Sequence, residues 1–351
     1  MLDAGFWRGR RVLVTGHTGF KGSWLALWLH ALGAEVSGFA SPPPTSPSLF
    51  ALTKLDEIVP TTIGDARELR AVEDAVRRSR PEVVIHLAAQ ALVNRSLADP
   101  VETFATNVLG TVHLLESVRR AGRDVAAVVC VTSDKCYLNR EWEWGYRESD
   151  ELGGLDPYSS SKACQELVAL SYRESLIRDS TSVATARAGN VIGGGDWAEY
   201  RLVPDVMQAA IDGRTVEIRN PNSVRPWQHV LNPLSGYLLL AERLSAAGRE
   251  YAEAWNFSPA VEEVRSVSWL VERLRQRWPG ELSIDVAREG KDENEARLVK
   301  LDASKARERL GWTVRWPLER AVDQIVEWYD AYARRKDLRT ITLDQIEAFG
   351  R

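Results

Sequence analysis

The chain lacks most of the signatures that would place it outside the globular enzymes. No apolar run approaches the ~18 residues that a membrane-spanning helix needs, which excludes such a span. The opening Met-Leu-Asp-Ala-Gly-Phe-Trp-Arg-Gly-Arg has no apolar stretch of the secretory kind and points to a cytoplasmic protein. Cysteine is scarce: Cys130, Cys136 and Cys164 follow no metal-binding spacing and suit a reducing compartment. Five histidines are scattered without a cluster, so no metal centre is expected. The net charge of −4, with signs interspersed, leaves no basic face and argues against nucleic acid as a partner. There is no internal repeat. What remains is a chain of 351 residues, long enough for one large domain or two modest ones around a substantial core.

Short apolar strands alternate with helical segments. Strands are expected at 11–16, 35–40, 83–88, 127–133 and 182–187, and helices at about 21–32, 67–79, 101–121 and 157–177. Near-continuous apolar strands between helices predict a parallel sheet covered on both faces. The fold class is therefore α/β: a Rossmann-type, doubly wound parallel sheet with a smaller C-terminal α/β lobe. Residues 1–189 form the cofactor domain, which also receives a strand near 253–258. Residues 190–335, punctuated by Gly193–Gly195, Pro204, Pro221, Pro226 and Pro233, form a substrate lobe, and 336–351 reads as a tail.

Gly16, Gly19 and Gly22 lie between the first strand and its helix, in Thr-Gly-His-Thr-Gly-Phe-Lys-Gly. A tight turn, a close backbone approach and helix–sheet packing there suit a dinucleotide pyrophosphate. Thr18, Phe20 and Lys21 complete the loop; Lys21 either reaches phosphate or is solvated. The second strand ends in Phe39-Ala40-Ser41, without the usual acid for ribose hydroxyls and without a cation for a 2′-phosphate. NAD is expected over NADP. Asp65, beside Ala66, either accepts from the adenine amine or caps a helix. Ala88, Ala89 and Gln90 let backbone pass close to the cofactor, and Asn107 takes a structural or relay position.

Tyr158 and Lys162 stand one helical turn apart, the spacing that brings an ammonium beside a phenol. A free tyrosine titrates near pKa ~10, and the Lys162 and nicotinamide cations are expected to lower it. Thr132-Ser133-Asp134-Lys135 ends a strand on the same edge. Ser133 can bind the oxygen that Tyr158 deprotonates, and Asp134 with Lys135 is either a second acid/base pair or a salt bridge. Cys136 has no basic partner and is not a nucleophile. Arg187 to Asn190 and the segment 220–230 are read as walls of a second site. Arg225 suits a diphosphate or a surface pair. Arg201 with Leu202 and Val203, Arg219, His229 and Arg297 are further candidates there.

These motifs resemble the extended short-chain dehydrogenase/reductase family and, within it, the nucleotide-sugar dehydratases, over Phe6 to Gly311-Trp312. Segments 133–137, 141–148, 187–197 and 225–230 resemble the branch acting on CDP-glucose; dehydratases of dTDP-glucose and GDP-mannose mostly carry Asp-Glu at the Asp134-Lys135 position. The resemblance implies retained NAD, CDP-glucose as substrate and a homodimer through helices near 101–121 and 157–177. It also implies C4 oxidation by Tyr158 with Lys162 and Ser133. Water then leaves across C5–C6, with Asp134 as acid and Lys135 as base, and hydride returns to C6. An ammonium is no base until it loses its proton. Two departures stand out. Asn294 to Arg297 replaces an expected His-Glu-Ala-His, and Ser160 and Ala163 replace Asn and Gly. The alternatives are a C4 epimerase, which needs no acid for a leaving 6-hydroxyl, a dehydratase of another CDP-hexose and a catalytically silent regulator.

Overall fold

The computed structural model describes residues 2–286 and 298–351. Seven strands form one sheet: β1 (Arg11–Thr15), β2 (Glu35–Ala40), β3 (Thr61–Ile63), β4 (Val83–His86), β5 (Ala127–Val131), β6 (Ser182–Arg187) and β7 (Ala254–Asn256). Their spatial order is β7-β6-β5-β4-β1-β2-β3, and every pairing is parallel. The order reverses between β1 and β4, where a doubly wound sheet opens its ligand crevice. The strand expected near 253–258 is β7, at the far edge.

Alternation within each strand builds two cores. Val12 and Val14 of β1 point to one face and Leu13 to the other, where it joins Val84, Val128 and Cys130. Burial on both faces is why these strands read as continuous apolar runs. Two helices that position the site begin with the same device. Asp99 accepts from Glu102 N before Pro100, and Asp156 accepts from Ser159 N before Pro157. A carboxylate cap followed by proline suits a helix start, because proline has no N–H to leave unpaired. The helix expected over 101–121 is broken into Pro100–Phe104, a wider-wound turn at Ala105–Leu109, and Gly110–Ala121.

Beyond residue 190, short strand pairs join Val191–Ile192 to Gln228–His229, Val224–Arg225 to Arg265–Ser266, and Val216–Ile218 to Ile284–Val286. The helix Leu231–Ala247 is buried along most of its length and packs under β5 and β6, so it belongs to the first layer. The segment read as a tail is a docked helix, Leu338–Gly350, capped by Asp337. Its Phe349 packs against Trp28 and Trp316. Two buried polar residues hid this face: Thr342 accepts from Trp328, and Gln345 donates to the Gln324 carbonyl. Among the described residues, no helix is long and apolar enough to cross a membrane.

Candidate active site

The three loop glycines do three different jobs. Gly16 has φ +75°, and a Cβ there would lie 2.7 Å from Ala88 N, so the turn after β1 sits directly on the chain leaving β4. A Cβ at Gly22 would lie 2.1 Å from the Gly16 carbonyl oxygen, which closes the helix onto the turn. Gly19 caps the helix Phe20–Ala31 without a side-chain hydrogen bond, and a Cβ there would meet only Gly16 O, at 3.4 Å. Protein packing does not demand glycine at 19. The bare backbone at this helix N-terminus leaves room for an anion such as a dinucleotide pyrophosphate. Gly19→Val should weaken NAD at least tenfold, the order of 1.4 kcal/mol, while thermal unfolding stays close to wild type. A cofactor titration beside a melting curve checks both; unchanged affinity would show that no pyrophosphate approaches there.

The rest of the loop is committed to structure. Thr18 donates to the Ser41 carbonyl, and Phe20 lies against Gly193. His17 fills the space over Gly38, where a Cβ would collide with its ring, and pairs with Thr61. Asp65 is held by Arg67, whose guanidinium keeps the carboxylate below its usual range. Asp65 does not cap the next helix, which starts after Glu68. Ala66 packs against Gly110. Asn107 clamps the backbone N–H and carbonyl of Gln90, at 2.8 and 3.0 Å, and donates to Ser161 on the Tyr158 helix.

Ser133, Asp134, Tyr158 and Lys162 are all buried. Tyr158 lies in the first turn of Pro157–Ser171, its N–H donating to Ser96 and its hydroxyl bonded to the Ser133 side chain. Ser133 Oγ donates to Asp134 Oδ1 (2.8 Å) and accepts from Lys135 N (3.2 Å). Asp134 rests on Gly189, where a Cβ would fall 1.9 Å from Oδ2. No ion pair joins Asp134 to Lys135 among the described residues, so the salt-bridge reading of that pair is not realised.

The titration of Tyr158 departs from expectation. Burial pushes the phenol up to about 12, against a smaller lowering by the Ser133 bond. The Lys162 ammonium is directed at Gln165 Oε1 (2.7 Å), and lies 5.9 Å from the Tyr158 ring centroid. Burial, aided by Lys21, brings Lys162 down to about 7. The helical spacing sets the two side chains on one face, but it does not bond them. Lys21 is also placed unexpectedly. It is half-buried, and burial with Arg201 brings it down to about 8, opposed by Asp134 and Asp196.

The second site is only partly as read. Arg201 pairs with the buried Asp196 (3.0 Å), a residue the sequence reading passed over, and precedes the helix that starts at Leu202 and Val203. Arg219 lies over Tyr200. Asn190 adopts φ +48° and accepts from Gln228 N. Arg225 is buried in its strand pair, not on the surface. His229 is a correction: fully buried between Trp24 and Trp316, it belongs to the core and not to a cleft wall. Arg187 is likewise no wall, being buried against Glu166. Arg297, with Asn294 to Ala296, lies outside the described residues.

A family model described as GDP-mannose 4,6 dehydratase matches residues 13–325. The chain belongs to that dehydratase family. Among its relatives, the CDP-glucose 4,6-dehydratase of Salmonella typhimurium is 48% identical over 344 residues, covering 96% of this chain and 95% of that protein. The dTDP-glucose 4,6-dehydratase of Streptomyces griseus is 30% identical, covering 91% and 93%. Two solved UDP-glucose 4-epimerases share the fold. The Brucella ovis enzyme in complex with NAD has a TM-score of 0.78 at 21% identity, covering 91% of this chain and 98% of that one. The Stenotrophomonas maltophila enzyme, with bound NAD and formylated UDP-arabinopyranose, has a TM-score of 0.81 at 20% identity, covering 93% and 99%. In this member of the dehydratase family, the glycine turn, the Ser133–Asp134 turn and the Tyr158 helix converge at the carboxyl ends of the strands, as the fold requires.

Proposed function

We propose that this chain is an NAD-dependent CDP-glucose 4,6-dehydratase, converting CDP-D-glucose to CDP-4-keto-6-deoxy-D-glucose. The observation that carries the reading is identity of 48% along nearly the whole length of the Salmonella enzyme. A buried Ser133, Asp134, Tyr158 and Lys162 cluster supports the chemistry.

The glycine loop would hold NAD, which when bound would supply the hydride acceptor for C4 and the hydride donor for C6. Ser133 hydrogen-bonds the sugar 4-oxygen and Tyr158 takes its proton, with Lys162 favouring the phenolate. The C4 ketone acidifies the C5 proton. Lys135 as the neutral amine removes it, Asp134 as the carboxylic acid protonates the 6-hydroxyl, and water leaves; the Lys135 ammonium then returns the proton to C5 when C6 is reduced. Asp134 is the acid for which an epimerase has no use, and this favours dehydration over C4 epimerisation. Residues 1–189, with the helix Leu231–Ala247 and the strand Ala254–Asn256, serve as the cofactor domain and the rest of 190–335 as the nucleotide-sugar lobe, with Arg201, Arg219 and Arg225 toward the diphosphate.

A homodimer is part of the proposal. Leu97, Val101 (77% exposed), Leu109, Leu167 and Leu170 form an apolar surface on adjoining helices, at the faces near 101–121 and 157–177. Three free cysteines suit the cytoplasm. The test is mass spectrometry of CDP-glucose, dTDP-glucose and GDP-mannose after incubation with the protein and catalytic NAD. Loss of one water from CDP-glucose alone is expected. Unchanged mass in all three would overturn the reading.

A further inference from the structure

The catalytic helix carries a buried carboxylate that proton transfer does not use. Glu166 lies one turn beyond Lys162, and all of its bonds are internal. Oε1 accepts from Thr132 Oγ1 (2.5 Å) and Arg187 Nε (2.9 Å); Oε2 accepts from Thr185 Oγ1 (2.6 Å) and Arg187 Nη2 (2.7 Å). Arg187 has one arm left. Its Nη1 donates to the Tyr137 hydroxyl (2.7 Å) and to the Glu148 carbonyl (3.1 Å). Tyr137 in turn donates to Asn256 Oδ1 (2.8 Å), and Asn256 Nδ2 holds the carbonyls of Tyr146 and Asp302. One chain of bonds therefore runs from the catalytic helix, through the end of β6, to the C-terminal half.

Asp134 and Lys135 sit between two of its anchors. Their single turn, Asp134–Cys136, is closed by the Ser133 cap and two long backbone bonds, Cys136 N to Ser133 O (3.3 Å) and Tyr137 N to Asp134 O (3.4 Å), with Gly153 N on the Cys136 carbonyl (2.9 Å). Thr132 fixes the turn on one side through Glu166, and Tyr137 fixes it on the other through Arg187 and Asn256. Tyr158 and Lys162 do not depend on this second anchor, because the Asp156 cap and Ser96 place their helix.

We propose that Tyr137 is a positioning residue for elimination: its hydroxyl, held between Arg187 and Asn256, keeps Asp134 and Lys135 aligned with C6 and C5. The inference rests on the dehydratase reading. Elimination needs two adjacent side chains placed on two adjacent carbons, and displacement by about 1 Å costs on the order of 10²-fold in rate. C4 oxidation needs the helix-borne pair and Ser133, which follows the first anchor at Thr132.

Tyr137→Phe keeps the ring, stacked on Tyr146, and removes only the hydroxyl. Its turnover of CDP-glucose should fall by about 10- to 100-fold. Transient nicotinamide reduction on mixing with CDP-glucose should keep the wild-type rate, and reduced cofactor should accumulate. Exchange of solvent deuterium into C5 should slow together with turnover. Turnover of Tyr137→Phe within twofold of wild type, or equal slowing of reduction and elimination, would overturn the role of Tyr137 alone. Wild-type protein that leaves CDP-glucose unchanged would overturn the functional reading and this inference with it.

Discussion

Tyr158→Phe is expected to lower turnover by about 10²- to 10⁴-fold, the range that a positioned acid/base group contributes. The ring is buried and the fold gains nothing from the hydroxyl except the bond to Ser133, so the variant should melt close to wild type and bind NAD equally. Because burial holds the phenol up at about 12, Tyr158 is protonated at neutral pH until a cation stands beside it. Lys162, brought down to about 7 and directed at Gln165, supplies only part of that charge. Transient reduction of the cofactor by CDP-glucose should therefore disappear with the hydroxyl. Steady-state turnover, stopped-flow absorbance and an NAD titration check the three expectations; a fully active variant would remove Tyr158 from proton transfer.

Mild acid should unfold the protein, and three buried histidines supply the reason. Burial lowers His17 from 6.5 to about 4, and lowers His86 and His229 from 6.5 to about 3. His86 lies between Thr15 and Thr111, and the Nε2 of His229 has no hydrogen-bond partner among the described residues. The unfolded chain binds these protons near pH 6.5 and the folded chain does not. Their stabilising effect is thus complete above pH 6.5 and declines as pH falls toward 4 and then 3. Each group contributes about 1.4 kcal/mol per pH unit once its unfolded form is charged. Together they approach the whole stability of a domain, about 5–15 kcal/mol, before pH 4. Denaturant unfolding at several pH values should show this slope, and His229→Leu should remove about one group's share of it. A flat profile from pH 7 to 5 would contradict the neutral, buried histidines.

The sheet was legible because parallel strands buried on both faces leave apolar runs that nothing else in this chain imitates. The same holds for Gly16 and Gly22, whose neighbours leave no room for a Cβ, and for Ser133 and Tyr158, which do meet. Properties set by the third dimension were not legible. His229 follows a run of polar residues and looks like part of a cleft wall, yet Trp24 and Trp316 enclose it from distant helices and strands. Lys21 sits in a phosphate-type loop, and the half-burial that lowers its titration left no mark in the sequence. Helical spacing put Lys162 beside Tyr158; only Gln165 and its bond to Thr111 explain why the ammonium turns away. Asp196 lacked any pattern that would separate it from the glycines before it. The helix Leu338–Gly350 was missed because its buried face is partly polar.

The central claim is that hydride leaves C4 and returns to C6 of the same sugar, with water lost between. CDP-glucose carrying deuterium at C4 tests it most directly. After turnover with catalytic NAD, the product should be one water lighter, with the label moved to C6 and none left at C4. Deuterium still at C4, or lost from the sugar altogether, would contradict the account.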